Sequence, residues 1–338
     1  MHELGATHAH APNDFLPRVH SAITLLCGYH LVERSHSRTQ SRPFLGSKKC
    51  LNYNDTTMLK MAGWEARFMH KIDSNPRLAS RLATILTAFL VFLGIWVIFN
   101  GRPMTKRLEK SAEKQRLSSR VHRAELPTRI ISTVHAVFVS QGVLRCLYYE
   151  GDYLFSDGNG FTKTSETAAF YFCISVAFFI GDLLICCVQF EEYGWSFLGH
   201  AIAGYGTFLF VVLSDTAHYW GCLGLSWEIS TVFLNVRWWL LEYKHKDSIF
   251  FTINTILLVV VFFIIRIGVS WPLSFTYITS CYKLTSLGGG DGSVSNFFFV
   301  WTSLVLVVLA GLNGFWFSKM MRGVQRALSK TSLAKKND

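Results

Sequence analysis

The chain has 338 residues and a formal net charge of +11, yet only 16% of its residues are charged and 50% are hydrophobic. Soluble domains carry about 25% charged residues, so this composition excludes a protein whose whole surface faces water. The excess Lys and Arg lie between apolar blocks, where anionic headgroups and cytosolic loops draw them, and no nucleic-acid partner is expected.

Residues 1–79 are polar, rich in Ser and Arg, and carry irregularly spaced histidines (His2, His8, His10, His20, His30, His36). Their apolar patch, 22–32, is too short to span a bilayer, so a disordered segment is expected. The histidine spacing fits no metal motif, and the eight cysteines form no CxxC pair; no metal site or cofactor is expected. Apolar blocks of about 20 residues then follow, the length that crosses a hydrocarbon core of about 30 Å. They predict seven transmembrane helices, near 82–99, 130–148, 168–190, 198–213, 219–241, 249–271 and 297–317. The fold class is therefore an all-α, multi-pass transmembrane bundle. The fifth block is unusually polar. Cys186 and Cys187 are a palmitoylation candidate, although apolar packing accounts for them as well.

Loop charges set the expected orientation. The loop 101–129 is strongly basic, as are Lys244 and Lys246 and the tail from Lys319, Arg322 and Arg326 onward. The loop 149–167 is acidic, with Glu150, Asp152, Asp157 and Glu166 against Lys163. Seven spans put all the basic segments on one side, the cytosol, and the N-terminus in the lumen. Asn54-Asp55-Thr56 is a glycosylation sequon, which suits a lumenal N-terminal segment. Lys335-Lys336-Asn337-Asp338 looks like the dilysine retrieval signal of endoplasmic-reticulum membrane proteins. Both fit one topology, and an endoplasmic-reticulum membrane location is expected.

Polar residues inside spans need a reason, because a charge at bilayer depth costs at least about 2.5 kcal/mol. Arg145, Asp215, His218 and Arg266 lie toward predicted span ends, where snorkelling to water is expected. Asp182 and His200 lie near the cytosolic ends of neighbouring spans. A His–carboxylate pair can act as a general base or simply tie two helices together, and both readings stand. Glu228, Thr231 and Asn235 repeat at i, i+3 and i+7, so they share a helix face turned toward a bundle interior or wet cavity.

The segment Glu228-Ile-Ser230-Thr231-Val-Phe-Leu-Asn235-Val-Arg237-Trp238 resembles a motif of TLC-domain proteins, the superfamily of ceramide synthases and translocating-chain-associated membrane proteins. Gly181-Asp182-Leu183, His200 and the stretch 129–136 add to the resemblance, which covers about 125–320. The chain then divides into 1–79, a first span with its basic loop over 80–124, a TLC-like domain over 125–320 and a basic tail over 321–338. The resemblance implies helices around a lipid-accessible cavity. Ceramide synthases share an adjacent His-His pair and a cluster of aspartates; here the pair is Gly199-His200 and Asp215 stands alone. The family's Pro after Ser-Thr is replaced by Val232, which implies a straighter fifth helix.

The leading expectation is a protein that binds or senses membrane lipids and regulates membrane lipid composition, with Glu228, Ser230, Thr231, Asn235, Arg237, Trp238 and Asp215 forming its cavity motif. The alternative is an acyl-CoA-dependent N-acyltransferase resembling ceramide synthase, with His200 as base or acyl acceptor and Asp182 or Asp215 orienting it. A transporter is a third possibility, which the lack of an inverted repeat or paired broken helices disfavours. The expected partners are membrane lipids, with a homo-oligomer or a partner membrane enzyme left open as further alternatives.

Overall fold

The computed structural model of the protein describes residues 75–100, 119–286 and 296–337, all but the turns helical. The expected disordered segment up to residue 74, the Asn54 sequon and most of the basic loop lie outside the described residues. The elements are α1 (Pro76–Asn100), α2 (Ser119–Leu154), α3 (Glu166–Val188), α4 (Phe190–Ser214), α5 (His218–Leu225) and α6 (Glu228–Glu242). They continue with α7 (Ile249–Phe262), a π-helical stretch (Phe263–Val269), α8 (Ser270–Ser286) and α9 (Asn296–Asn337).

Among the described residues six helical segments are long and apolar enough to cross a membrane, and α7, the π stretch and α8 together form one of them. The expected fifth span is absent from that set because it is broken. α5 and α6 are separate short helices joined by a tight turn, in which Trp227 N–H donates to Gly224 O and Ile229 N–H to Ser226 O. Such i→i+3 bonds mark a 3₁₀ turn within an otherwise helical path. The break falls upstream of Val232, which sits inside an unbroken α6.

Side-chain pairings show that the broken pair still crosses the bundle. At one end Arg81 of α1 meets Glu166 at the start of α3 and Asp215 just beyond α4, next to the first residue of α5. At the other end Arg129 of α2 donates to Asn235 of α6 over 3.3 Å. The pair thus enters at one end and leaves at the other. Phe161, beyond the end of α2, packs against Tyr277 of α8 and edge-to-face on Phe299 of α9, which brings the end of α8 and the start of α9 to the first end. Among the described residues the chain therefore passes through the bundle seven times.

The turns are fixed locally. Ser165 caps α3, its Oγ accepting from Ala168 N–H at 3.0 Å. Gly194, at φ 68°, lets the first turn of α4 kink away from the rest of the helix, a conformation that side-chain-bearing residues rarely adopt. Between α2 and α3, the Asp157 carboxylate accepts from the backbone N–H groups of Asn159, Phe161 and Thr162 at 2.9, 3.2 and 2.8 Å. Burial pushes that carboxyl up, but the bonds to Thr162, Asn159 and Gly160 outweigh it and hold its pKa at about 2.

The core gathers on α2, α3 and α4, with Val139, Val143, Phe172, Val176 and Val212 almost wholly buried. By contrast Leu86, Leu90, Val97 and Ile98 of α1 are more than half exposed. An apolar surface of that kind, carried on helix after helix, is stable only against lipid.

Candidate functional site

A cavity with about 110 Å³ of free space opens inside the bundle between α4, α5, the π stretch, α8 and α9. Its walls are largely apolar, with Phe208, Val211, Leu273 and Leu309 among them, and His200, Thr207, Glu228, Arg266, Ser270 and Tyr277 supply polar groups. The fold itself creates the most ordered part of this lining. The tight turn between α5 and α6 presents the Trp227 carbonyl, and the π stretch, which inserts a residue into the helical repeat, presents Arg266 opposite it.

Arg266 is 5% exposed, and its guanidinium is committed to protein acceptors. Nε donates to Trp227 O at 3.3 Å and Ser230 Oγ at 2.8 Å; Nη2 donates to Trp227 O and Thr231 Oγ1, each at 3.1 Å; Nη1 donates to Asn313 Oδ1 at 3.4 Å. Glu228 stands 3.8 Å away as counter-charge. The expectation that Arg266 snorkels to water is therefore overturned: it lies near the middle of a 36-residue apolar segment, so turning inward to Glu228 and the Trp227 carbonyl costs less than reaching an interface. The sequence signal was present. Arg266, Ser270, Ser274 and Tyr277 recur at helical spacing along one face of a largely apolar span.

Three fully buried lining atoms have no hydrogen-bond partner among the described residues: His200 Nδ1, Thr207 Oγ1 and Ser270 Oγ. His200 is flanked instead by aromatic rings, Phe179 and Trp316 each 5.8 Å away centre to centre. Asp182 does not line the cavity, and no hydrogen bond or ion pair joins it to His200; its electrostatic neighbours are Arg129 and Glu228.

The polar stripe of the fifth span divides among neighbours. Glu228, Ser230 and Thr231 surround Arg266. Asn235, fully buried, donates to Ser132 Oγ of α2 at 3.1 Å and accepts from Arg129. Arg237 donates to Thr255 Oγ1 of α7 at 3.0 Å and lies over Phe251, while Trp238 lies under the Arg129 guanidinium. Half of the motif thus fastens α6 to α2 and α7, the other half surrounds Arg266, and Glu228 alone of it lines the cavity.

His218 also departs from the snorkelling expectation, whereas Asp215 is partly exposed at the helix end and Arg145 is exposed. His218 is fully buried, and its Nδ1 accepts the Ser165 N–H at 2.9 Å, which leaves the ring proton on Nε2, 3.2 Å from Asp215 Oδ1. Arg81 Nη2 meets the same oxygen at 2.8 Å. The bond from His218 and the charge of Arg81 hold the Asp215 carboxyl at a pKa of about 2. This is a clasp between helix ends, outside the cavity. Lys335 and Lys336 fall in the last turns of α9. No group of three or more His, Cys, Asp or Glu side chains among the described residues is placed to hold a metal.

Apolar crossing helices around an internal, partly polar cavity define a multi-pass helical membrane protein. Residues 125–322 match the TLC domain, and the chain belongs to the TLC-domain family. It is 30% identical over 185 residues to Topoisomerase I damage affected protein 4 of Saccharomyces cerevisiae, spanning 53% of this chain and 63%, less than two thirds, of that protein. It is 28% identical over 233 residues to an uncharacterized TLC domain-containing protein of Schizosaccharomyces pombe, 67% of this chain and 72% of the relative. With TLC domain-containing protein 4 of Homo sapiens it shares 28% identity over 210 residues, 61% of this chain and 76% of the human protein.

Proposed function

We propose that this protein binds a membrane lipid in the cavity between α4, α5, α8 and α9 and, through that binding, regulates membrane lipid composition. The observation that carries this reading is the lining: apolar walls with unpartnered polar atoms at His200, Thr207 and Ser270. Buried polar atoms without partners cost free energy, and a ligand with a polar head and an alkyl tail satisfies both halves of such a wall. On this reading the protein resides in the endoplasmic-reticulum membrane, with α1 starting at the lumenal face and α9 ending in the cytosol.

The N-acyltransferase reading draws on one observation, that His200 lines the cavity. It lacks the carboxylate partner that would orient the imidazole for proton transfer, since Asp182 lies elsewhere and Asp215 is engaged by Arg81 and His218. The test combines lipidomics of cells carrying wild type, a deletion or His200→Ala with a transfer assay on purified protein, using a long-chain acyl-CoA and a long-chain base. The expected result is a shifted lipid profile on deletion and no transfer in vitro. Transfer by wild type that His200→Ala abolishes would establish the enzyme and overturn the regulator.

A further inference from the structure

Charge neutrality is the cavity's most selective property. Its charged lining residues are Arg266 and Glu228, and they face each other at 3.8 Å. The guanidinium is spent on Trp227, Ser230, Thr231 and Asn313, so it has little left to offer a phosphate. A phosphate brought into this wall would be a third charge facing a pair already balanced. In a water-poor interior an uncompensated charge is strongly disfavoured. The groups that do lack partners are uncharged ones: the hydroxyls of Thr207 and Ser270, and an imidazole nitrogen of His200 that donates or accepts according to its tautomer. Ser270 is only 1% exposed, so its hydroxyl has no water to turn to.

We infer that the cavity is a binding site for uncharged, hydroxyl-bearing lipids of the acylglycerol or long-chain alcohol class, and that it rejects phospholipids and acyl-CoA. This rests on the lipid-binding reading above and narrows its ligand. The head group hydrogen-bonds to Thr207, Ser270 and His200, and the chain lies along Phe208, Val211, Leu273 and Leu309. The Arg266–Glu228 pair acts as the filter against anions. Removing the carboxylate while keeping its shape, by Glu228→Gln, leaves Arg266 as a net positive charge and turns rejection of anions into attraction.

The test uses photoreactive probes with identical alkyl chains, one a diacylglycerol and one a phosphatidic acid, on protein in phosphatidylcholine nanodiscs, with labelled peptides mapped by mass spectrometry. Gly224→Leu serves as the plug: Gly224 lines the cavity, and a Cβ there has its nearest neighbour 3.9 Å away at Phe208, so the side chain enters free space. The expected result is labelling of cavity peptides by the diacylglycerol at least about tenfold above phosphatidic acid, a ratio that corresponds to one decade in affinity. That labelling falls to background in Gly224→Leu, weakens in the combined Thr207→Val and Ser270→Ala variant, and the preference narrows or inverts in Glu228→Gln. Cavity labelling by phosphatidic acid that Gly224→Leu blocks would overturn the neutral-lipid assignment while leaving a lipid site in place. Labelling confined to outer helix faces with both probes, unchanged by Gly224→Leu, would overturn the site itself.

Discussion

At the residue scale the balance of opposite charges decides most. Arg266 and Glu228 are each less than a tenth exposed, so removing one leaves the other buried and unpaired. Arg266→Met is expected to destabilise by about 3–5 kcal/mol, whereas Arg266→Met combined with Glu228→Gln costs much less than the single change, because no lone charge remains. Thermal unfolding of the purified protein in mild detergent, followed by tryptophan fluorescence, checks both; a double variant as unstable as Arg266→Met would show that packing rather than charge is at stake. Asp157 gives a pH-dependent counterpart in the turn between α2 and α3. Its pKa is depressed from 3.8 to about 2 in the fold, so its stabilisation is whole above the unfolded value and is lost as pH falls through the folded one. The difference in unfolding temperature between wild type and Asp157→Ala should be constant from neutral pH down to about 5 and shrink below about pH 4. A constant difference down to the lowest pH would mean the carboxylate's charge contributes nothing.

At the scale of elements, close approach of helices is set by glycines on particular faces. On α4 a Cβ at Gly206 would stand 2.6 Å from the Trp301 ring of α9, while a Cβ at Gly199 meets nothing within 4 Å. Gly206→Ala is therefore expected to destabilise by about 1–3 kcal/mol through overpacking. Gly199→Ala should be neutral or stabilising by up to about 1 kcal/mol, the helix-propensity gain alone. The same helix thus carries its own control, and equal effects at the two positions would sink the packing argument. Periodicity identified α1 to α4 and α9 well, because their apolar residues form runs long enough to span a bilayer. The break between α5 and α6 was not legible. Ser226 and Trp227 carry no helix-breaking signature, and the turn is held by Arg266 from a helix nearly forty residues further on.

At the scale of the molecule the seven passes make a testable statement about parity. With the α5–α6 pair crossing, an odd number of passes is expected, which would put the two termini on opposite sides of the membrane. In sealed microsomes the Asn54 glycan should be protected and removable by endoglycosidase only after detergent, while a C-terminal epitope is digested by added protease without it. Both termini on one face would mean that the broken pair turns back instead of crossing.

The sequence by itself determined that the chain is a helical membrane protein of the TLC family, since span length, the shortage of charge and the motif from Glu228 to Trp238 are local properties that survive without coordinates. It also singled out His200 and Glu228, because a polar group in an apolar span is conspicuous whatever surrounds it. Only the tertiary structure decided where each polar group points. His200 and Asp182 looked equally paired along the chain, yet one lines the cavity and the other faces Arg129 and Glu228. Arg266 and His218 looked like snorkelling residues, yet both turn inward. Partner choice depends on the relative rotation and depth of helices far apart in sequence. Spacing along one helix fixes a face, and only the packed bundle fixes what that face meets.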